Sequence, residues 1–424
     1  MIGYSRSRAS PAVNPAMKPR LLVLTSTFPR WSNDTDPPFV YELCRRLSKH
    51  FEVTVHTPHY PGARTREVMD GISIHRFRYF FAPLEKLAGT TGILPTLRHQ
   101  RWYLVLVPFF LVCQFCSLSF LTRKYRPALI HAHWLVPQGF FAALIGRISG
   151  TPIVVTAHGA DVFGLQGKAW QWPKRIALQQ ATAVTVVSRK LGRGIKEIAD
   201  CRDKLHVIPM GVDSRRFLPV TRQGNEDKRS DDKRQRQLLY VGRLTEKKGV
   251  RYLLEAMPLV LRRFPKARLR IIGGGELEQE LKNQASALNL ENEVYFSGRL
   301  ANEQLPGCYT MAEVFIGPSI VADSGDTEGF GLTFVEAAMS GCLVIGTDTG
   351  GISEIIQDGE TGLLAPPQDA VALAARIIYA LEHDEEMAGI RENARQRAVE
   401  MFDWSVIASR YIELFQMVLK SGKG

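Results

Sequence analysis

Residues Val314–Gly346, VFIGPSIVADSGDTEGFGLTFVEAAMSGCLVIG, hold the pattern that decides the fold. Two short apolar runs, Val314–Pro318 and Leu343–Gly346, flank a helical stretch at Leu332–Met339 that opens on Gly329-Phe330-Gly331. Unbroken apolar runs joined through a helix read as buried parallel strands with a crossover. The glycines leave the first amides of that helix open, and those amides together with the helix dipole can hold a diphosphate. Glu328 stands just before the amides and Glu336 more than a turn into the helix. Carboxylates so placed can accept hydrogen bonds from hydroxyls at both ends of a nucleotide sugar.

The same alternation runs outward in both directions. Downstream of a polar stretch come strands at Leu238–Val241, Ala267–Ile272 and Glu293–Phe296, separated by helices at Val250–Phe264 and Glu276–Leu288. The first half has strand patterns at Arg20–Thr27, Glu52–Thr57, Ala128–Ala132, Pro152–Ala157, Ala183–Val187 and Lys204–Pro209. Helices at Phe39–Lys49, Gly139–Ile148 and Arg189–Ile198 lie between them. Each half therefore predicts a parallel sheet with right-handed crossovers. A chain of 424 residues is too long for one core. The expected map is a disordered tail at 1–19, a first domain at 20–218, a charged linker at 219–237 and a second domain at 238–400. A helix at 401–424 is expected to pack back toward the first domain. The tail has no apolar h-region and is not a signal peptide, and Met17 is a second candidate start. Two α/β sheets facing across a cleft would bind ligand beyond the carboxyl ends of their strands.

Charge is divided unevenly. Residues 1–218 carry 30 Lys and Arg against 12 Asp and Glu, a net +18, whereas residues 219–424 carry 24 against 30, a net −6. Such polarity predicts a polyanionic partner for the first half only. No nucleic-acid-binding module accompanies it, which favours an anionic membrane surface carrying a lipid-linked acceptor over nucleic acid. Trp102–Leu121 is a 20-residue stretch without charge, flanked by Arg98 and Arg101 before it and Arg123, Lys124 and Arg126 after. Its length allows a membrane span. A span would split the first sheet across two sides, so a buried or membrane-dipping helix is the expectation. The six cysteines show no disulfide spacing and read as reduced core residues of a cytosolic protein, with Cys113 and Cys116 on one face of a buried helix rather than in a zinc or redox site.

A second chemical motif, Val241–Gly249 (VGRLTEKKG), sits at the carboxyl end of the first strand of the second half. Arg243 can bind phosphate oxygens as a fork, and Lys248 can act as a point charge. Arg243 with Lys248, Gly273-Gly274-Gly275-Glu276, Glu328 with Glu336 (E-x7-E) and Gly350-Gly351…Glu354 occur in one order. In the first half stand His131-Ala132-His133-Trp134, Thr156-Ala157-His158-Gly159-Ala160-Asp161 and Ile208-Pro209-Met210-Gly211-Val212-Asp213. Over nearly all of Arg20–Leu419 the chain resembles the retaining glycosyltransferases of family 4, the group 1 glycosyl transferases with the GT-B fold.

The resemblance implies two Rossmann-like domains and transfer of a hexose from a UDP- or GDP-sugar to an acceptor hydroxyl. The acceptor expected is a lipid-linked saccharide in cell-surface polysaccharide or glycolipid assembly, met on the cytoplasmic face of the membrane. It implies catalytic roles for His158, Arg243, Lys248 and Glu328, with Glu328 on the donor sugar and His158 reaching it from across the cleft. Gly242, Gly329, Phe330, Gly331, Leu332 and Glu336 would bind the donor, Glu336 through the ribose. No metal or other cofactor is implied. Two positions depart from the family: Asp36-Pro37-Pro38-Phe39 replaces the Gly-Gly loop after the first strand, and Met210 replaces a usual Asn. Asp34-Thr35-Asp36 has D-x-D spacing but sits in a Pro-rich loop and reads as a turn, and His131 with His133 reads as a structural pair rather than a zinc site. Two rivals stay open: a nucleotide-sugar hydrolase or epimerase on the same fold, and a non-catalytic sugar- or membrane-binding protein. The first needs a group that activates water or abstracts a proton; the second does not need intact phosphate contacts.

Overall fold

The structure, a computed structural model, describes residues 18–31, 34, 38–89, 92–93, 96–97, 100–163, 167–219 and 236–421. Residues 1–17 of the expected tail, 220–235 of the expected linker, and Thr35, Asp36 and Pro37 of the D-x-D loop lie outside these.

Two sheets form. The first contains β1 (Arg20–Leu24), β2 (Glu52–Pro58), β3 (Arg66–Met69), β4 (Ile72–Phe77), β5 (Leu129–His133), β6 (Ile153–Ala157), β7 (Ala183–Val186) and β8 (Leu205–Val207), in the order β3-β4-β2-β1-β5-β6-β7-β8. The second contains β9 (Gln237–Val241), β10 (Arg268–Ile272), β11 (Val294–Phe296), β12 (Val314–Gly317), β13 (Leu343–Thr347) and β14 (Leu363–Ala365), in the order β11-β10-β9-β12-β13-β14. The central strands are covered on both faces, which is why their sequences are apolar without alternation: Leu21 to Leu24 are all at most 1% exposed. The second sheet is parallel throughout. The first is not, which corrects the expectation of a wholly parallel sheet: β3 and β4 pair antiparallel. Their two-residue loop is Asp70-Gly71, with φ of 47° and 77°, the positive pair that a tight hairpin turn requires.

The order in which strands are added reverses once in each sheet, between the parallel neighbours β1 and β5 and between β9 and β12. Loops leaving those neighbouring strands diverge to opposite sides and open a crevice, the place where such sheets bind ligands. The loop at Gly242–Gly249 follows β9 and that at Pro318–Gly331 follows β12, while Trp134 follows β5 and His158 follows β6. These loops line one cleft of about 1300 Å³.

The C-terminal helix, Trp404–Ser421, lies on the first sheet. Trp404, Ile407, Tyr411, Leu414, Phe415 and Val418 join the cluster built from Leu21, Val23 and Val55. The chain crosses back at Val212, which donates its N–H to Phe402 and accepts from Trp404 at 2.9 and 3.0 Å.

The charge-free stretch becomes a 3-10 turn, Arg101–Val105, and a helix, Leu106–Tyr125. Leu106, Phe110, Gln114 and Leu118 form its buried stripe, with the Phe110 ring 5.2 Å from Phe77 of β4. The helix is thus held by the first sheet along this stripe and also meets the Phe140–Ser149 helix, with the Phe115 and Phe141 rings 5.6 Å apart. All six cysteines are free, but Cys116 is exposed and Cys113 half-buried, so the expectation of core positions is corrected for these two.

Candidate active site

The donor-side loops are locked by backbone approach. Gly249 has φ 63°, and a Cβ there would come within 1.9 Å of the Pro318 carbonyl oxygen. Ile320 donates its N–H to Lys247 O at 2.8 Å. The cationic loop is therefore pinned to the loop carrying Glu328. Lys248 Nζ forms an ion pair with Glu328, and Lys247 Nζ one with Asp326 at 3.0 Å. Burial pushes the Glu328 carboxyl up, but Lys248, Lys247 and Arg243 outweigh it and hold the group at about 2. Glu328 is then a fixed anion at any physiological pH. Arg243 lines the same cleft, and its guanidinium pairs with none of the described residues, while its carbonyl accepts from the Tyr240 hydroxyl at 2.9 Å. It is the cation left over for an incoming anion.

Glu336 lies at the other end of the Leu332–Met339 helix start. Burial raises its carboxyl to about 7, against the lowering effects of the Tyr309 hydroxyl, which donates at 2.8 Å, and of Arg216. Two carboxylates eight residues apart thus differ by about five pH units in affinity for a proton. Phe330 is 3% exposed and packs edge-on against Phe402 at 5.4 Å, so its backbone, not its ring, faces the cleft with Gly329, Gly331 and Leu332. Gly242 donates its N–H to Ile272 O at 3.0 Å, which sets the first turn of the cationic loop.

Across the cleft, Asp161 accepts from the N–H groups of Leu135, His158 and Gly159 at 2.9, 3.1 and 2.9 Å. One carboxylate so fixes the loops after β5 and β6 together. His158 Nε2 lies 3.0 Å from His133 Nδ1, and its ring packs against Trp134 and Phe39 with centroids at 4.9 and 5.1 Å. Burial pulls its imidazole down to about 3, so it is neutral near pH 7. His131 Nε2 meets Thr156 Oγ1 at 2.7 Å. Among the described residues no three His, Cys, Asp or Glu side chains cluster so as to hold a metal ion.

The two halves touch here. A Cβ on Gly329 would stand 2.5 Å from the His158 carbonyl oxygen. Ser188 Oγ donates to Gly329 O at 2.8 Å, and Glu354 accepts from the N–H groups of Arg189 and Lys190 at 2.9 and 3.0 Å. The glutamate of the second half caps a helix of the first. Sequence reasoning named His158, Arg243, Lys248, Glu328 and Glu336, all of which line the cleft. It gave no role to Lys247 or Asp161, though both stand in quoted motifs, and it missed Tyr309, Arg216 and the Ser188 contact. Lys247 stood beside a named residue in the same motif; Tyr309 carried no signal.

The fold and these loops bring a cationic loop, a helix N-terminus and two buried carboxylates into one cleft between two α/β sheets, and comparison with known proteins gives the class. A family profile described as Glycosyl transferases group 1 matches residues 222–397, and one described as Glycosyltransferase Family 4 matches residues 38–216. The phosphatidyl-myo-inositol mannosyltransferase of Mycobacterium tuberculosis is 33% identical over 65% of this chain and 70% of its own. The GDP-mannose-dependent alpha-(1-6)-phosphatidylinositol monomannoside mannosyltransferase of Mycolicibacterium smegmatis is 29% identical over 66% of this chain and 73% of its own. Among solved structures, sucrose-phosphate synthase from Thermosynechococcus elongatus superposes with a TM-score of 0.74 at 22% identity, covering 95% of this chain and all of that one. Anabaena HepE in complex with UDP-glucose gives 0.70 at 19% identity, covering 94% and 100%. The chain belongs to glycosyltransferase family 4, the group 1 glycosyl transferases, and has the GT-B fold.

Proposed function

We propose that the protein is a retaining, metal-independent hexosyltransferase that moves a sugar from a UDP- or GDP-sugar to the hydroxyl of a lipid-linked acceptor. The observation that carries this is the gathering of Arg243, Lys247 and Lys248 around Glu328 at the open end of the Leu332–Met339 helix. The donor diphosphate lies on the helix amides, and Arg243 and Lys248 take up the charge that develops as it leaves. Glu328 accepts from hydroxyls of the transferred sugar and Glu336 from the ribose. His158, neutral, binds the sugar from the opposite wall as a hydrogen-bonding group rather than a proton donor. The bond from the anomeric carbon to the diphosphate oxygen breaks as the acceptor oxygen attacks from the same face. The acceptor proton passes to a departing phosphate oxygen, so configuration is kept and no protein nucleophile is consumed. The cationic loop offers the counter-charge that a divalent cation would otherwise supply.

The lipid-linked acceptor, in cell-surface polysaccharide or glycolipid assembly, is supported by the basic first half and by relatives whose names carry phosphatidylinositol-type acceptors. We place the protein peripherally on the cytoplasmic face of a membrane; release from membranes by high salt supports this, and a requirement for detergent refutes it. The decisive assay incubates purified protein with a panel of UDP- and GDP-sugars, GDP-mannose first, with and without EDTA. Release of sugar from one donor, undiminished by chelator and lost in Glu328→Ala, is the expected result. Full activity of Glu328→Ala refutes the site, and dependence on added metal refutes the metal-free reading.

A further inference from the structure

The cleft is larger than a sugar nucleotide needs: about 1300 Å³ against the roughly 300–1,000 Å³ of ordinary small-molecule sites. Its excess is an apolar arm in the first domain. The Leu106–Tyr125 helix divides its surface into three stripes. Leu106, Phe110, Gln114 and Leu118 are buried. Phe109, Val112, Cys116 and Phe120 are exposed, at 47%, 62% and 55% for Phe109, Val112 and Phe120. Val107, Leu111 and Phe115 lie between these stripes and line the cleft together with Phe110 and Val112 from the stripes on either side, and Phe140, Leu144 and Trp172 are among its other lining residues. Phe140 and Trp172 rings meet at 5.5 Å. Gln138 also lines the cleft; it is 1% exposed, and neither atom of its carboxamide has a partner among the described residues. A buried amide left unpaired on an apolar arm points to a polar group of a ligand that brings its own hydrocarbon.

Charge says where that ligand comes from. Between Glu85 and Asp161 the chain has no Asp or Glu, yet it carries Lys86, Arg98, Arg101, Arg123, Lys124, Arg126 and Arg147. Exposed aromatic and aliphatic residues on a helix with basic residues at both ends suit an anionic bilayer surface. We propose that the apolar arm seats one hydrocarbon chain of the lipid acceptor, drawn from an anionic bilayer on which the Phe109–Phe120 stripe rests, with Gln138 binding the polar linkage beside the chain. This rests on the lipid-acceptor reading above and adds where the lipid enters.

The test separates arm from surface and both from catalysis. Binding of 11-(dansylamino)undecanoic acid is followed by fluorescence, and sedimentation with phosphatidylcholine vesicles containing phosphatidylglycerol reports the outer stripe. Leu144→Glu and Leu144→Trp, each checked for an unchanged unfolding midpoint, are expected to weaken the probe at least tenfold while sedimentation persists. The double variant Phe109→Glu/Phe120→Glu is expected to lose sedimentation while keeping the probe. In the parent protein, shortening the probe weakens it by roughly fourfold per methylene. Parent-like probe affinity in both folded Leu144 variants overturns the proposal, as does equal loss of probe in the outer-stripe variant. Donor cleavage by a parent protein that fails these binding tests leaves the transferase standing without the arm; probe binding without donor cleavage does the reverse.

Discussion

Replacing Tyr309 by Phe removes one oxygen and tests the assignment of Glu336 to the donor. The Tyr309 hydroxyl is the donor that holds the buried Glu336 carboxylate, at 2.8 Å, and burial already lifts that carboxyl to about 7. A hydrogen bond to a charged group contributes about 1.5–3 kcal/mol, so its loss moves the Glu336 titration upward by about one to two pH units. The sign is fixed: the ribose needs an acceptor, and below its titration midpoint Glu336 carries a proton. Donor affinity in the parent should therefore fall as pH drops through about 7. In the variant the same fall should occur about one to two pH units higher. At pH 7 the ionised fraction goes from about one half to roughly 1–10%, raising KM for the donor about five- to fiftyfold. With the ribose contact proposed for Glu336 made equally in ground and transition states, kcat should change little. The assay is initial-rate donor cleavage at pH 6.0 to 9.5. Convergence of the two KM values at the alkaline end is expected. A ratio that stays constant across the range refutes the argument, because Tyr309 would then act through packing alone.

Other outcomes follow from the same geometry. Glu336→Gln should gain stability relative to the parent as pH rises: the folded carboxyl titrates near 7 against 4.5 ordinarily, so the preference for a neutral group is full below about 4.5 and lost by about 7. The difference, on the order of 3 kcal/mol, should appear as a widening gap in unfolding midpoints between pH 5 and 8.5. Gly329→Ala puts a methyl 2.5 Å from His158 O and should cut kcat on the order of 10²-fold while nucleotide binding, measured by calorimetry, survives. Glu354→Ala removes the acceptor for two backbone N–H groups across the cleft and should increase the radius of gyration in solution scattering. Arg243→Lys keeps the charge but loses the fork, and kcat should fall at least about tenfold.

Residues differ in how much of this they disclose in sequence. Leu21–Leu24 and Val314–Gly317 are buried on both faces, and that double burial is what makes an apolar run legible as a parallel strand. The β3–β4 hairpin is half-exposed at a sheet edge, so Arg66–Met69 mixes polar and apolar residues; its signal lay in Asp70-Gly71 alone. Motif spacing gives Glu328 and Glu336, because both sit on one loop and helix. It cannot give Tyr309, 27 residues upstream on the Leu305–Met311 helix, since only the packing of that helix brings its hydroxyl to Glu336.

Charge and burial together explain why two similar carboxylates take different work. Glu328 faces three cations and stays ionised through any pH the protein meets, so the hydrogen bonds to sugar hydroxyls proposed for it would be available throughout the cycle. It also shields Lys248 until a diphosphate competes for that ammonium group. Glu336 has one phenol and a more distant guanidinium and sits near its titration point. A nucleotide that binds only the ionised form must therefore expel a proton at neutral pH. Proton release on donor binding, close to zero at pH 9, about half a proton at pH 7 and rising toward one as the pH falls further, is the thermodynamic mark of that arrangement. Glu328, already ionised, would contribute nothing to it, so calorimetry in buffers of different ionisation enthalpy separates the two residues without altering either.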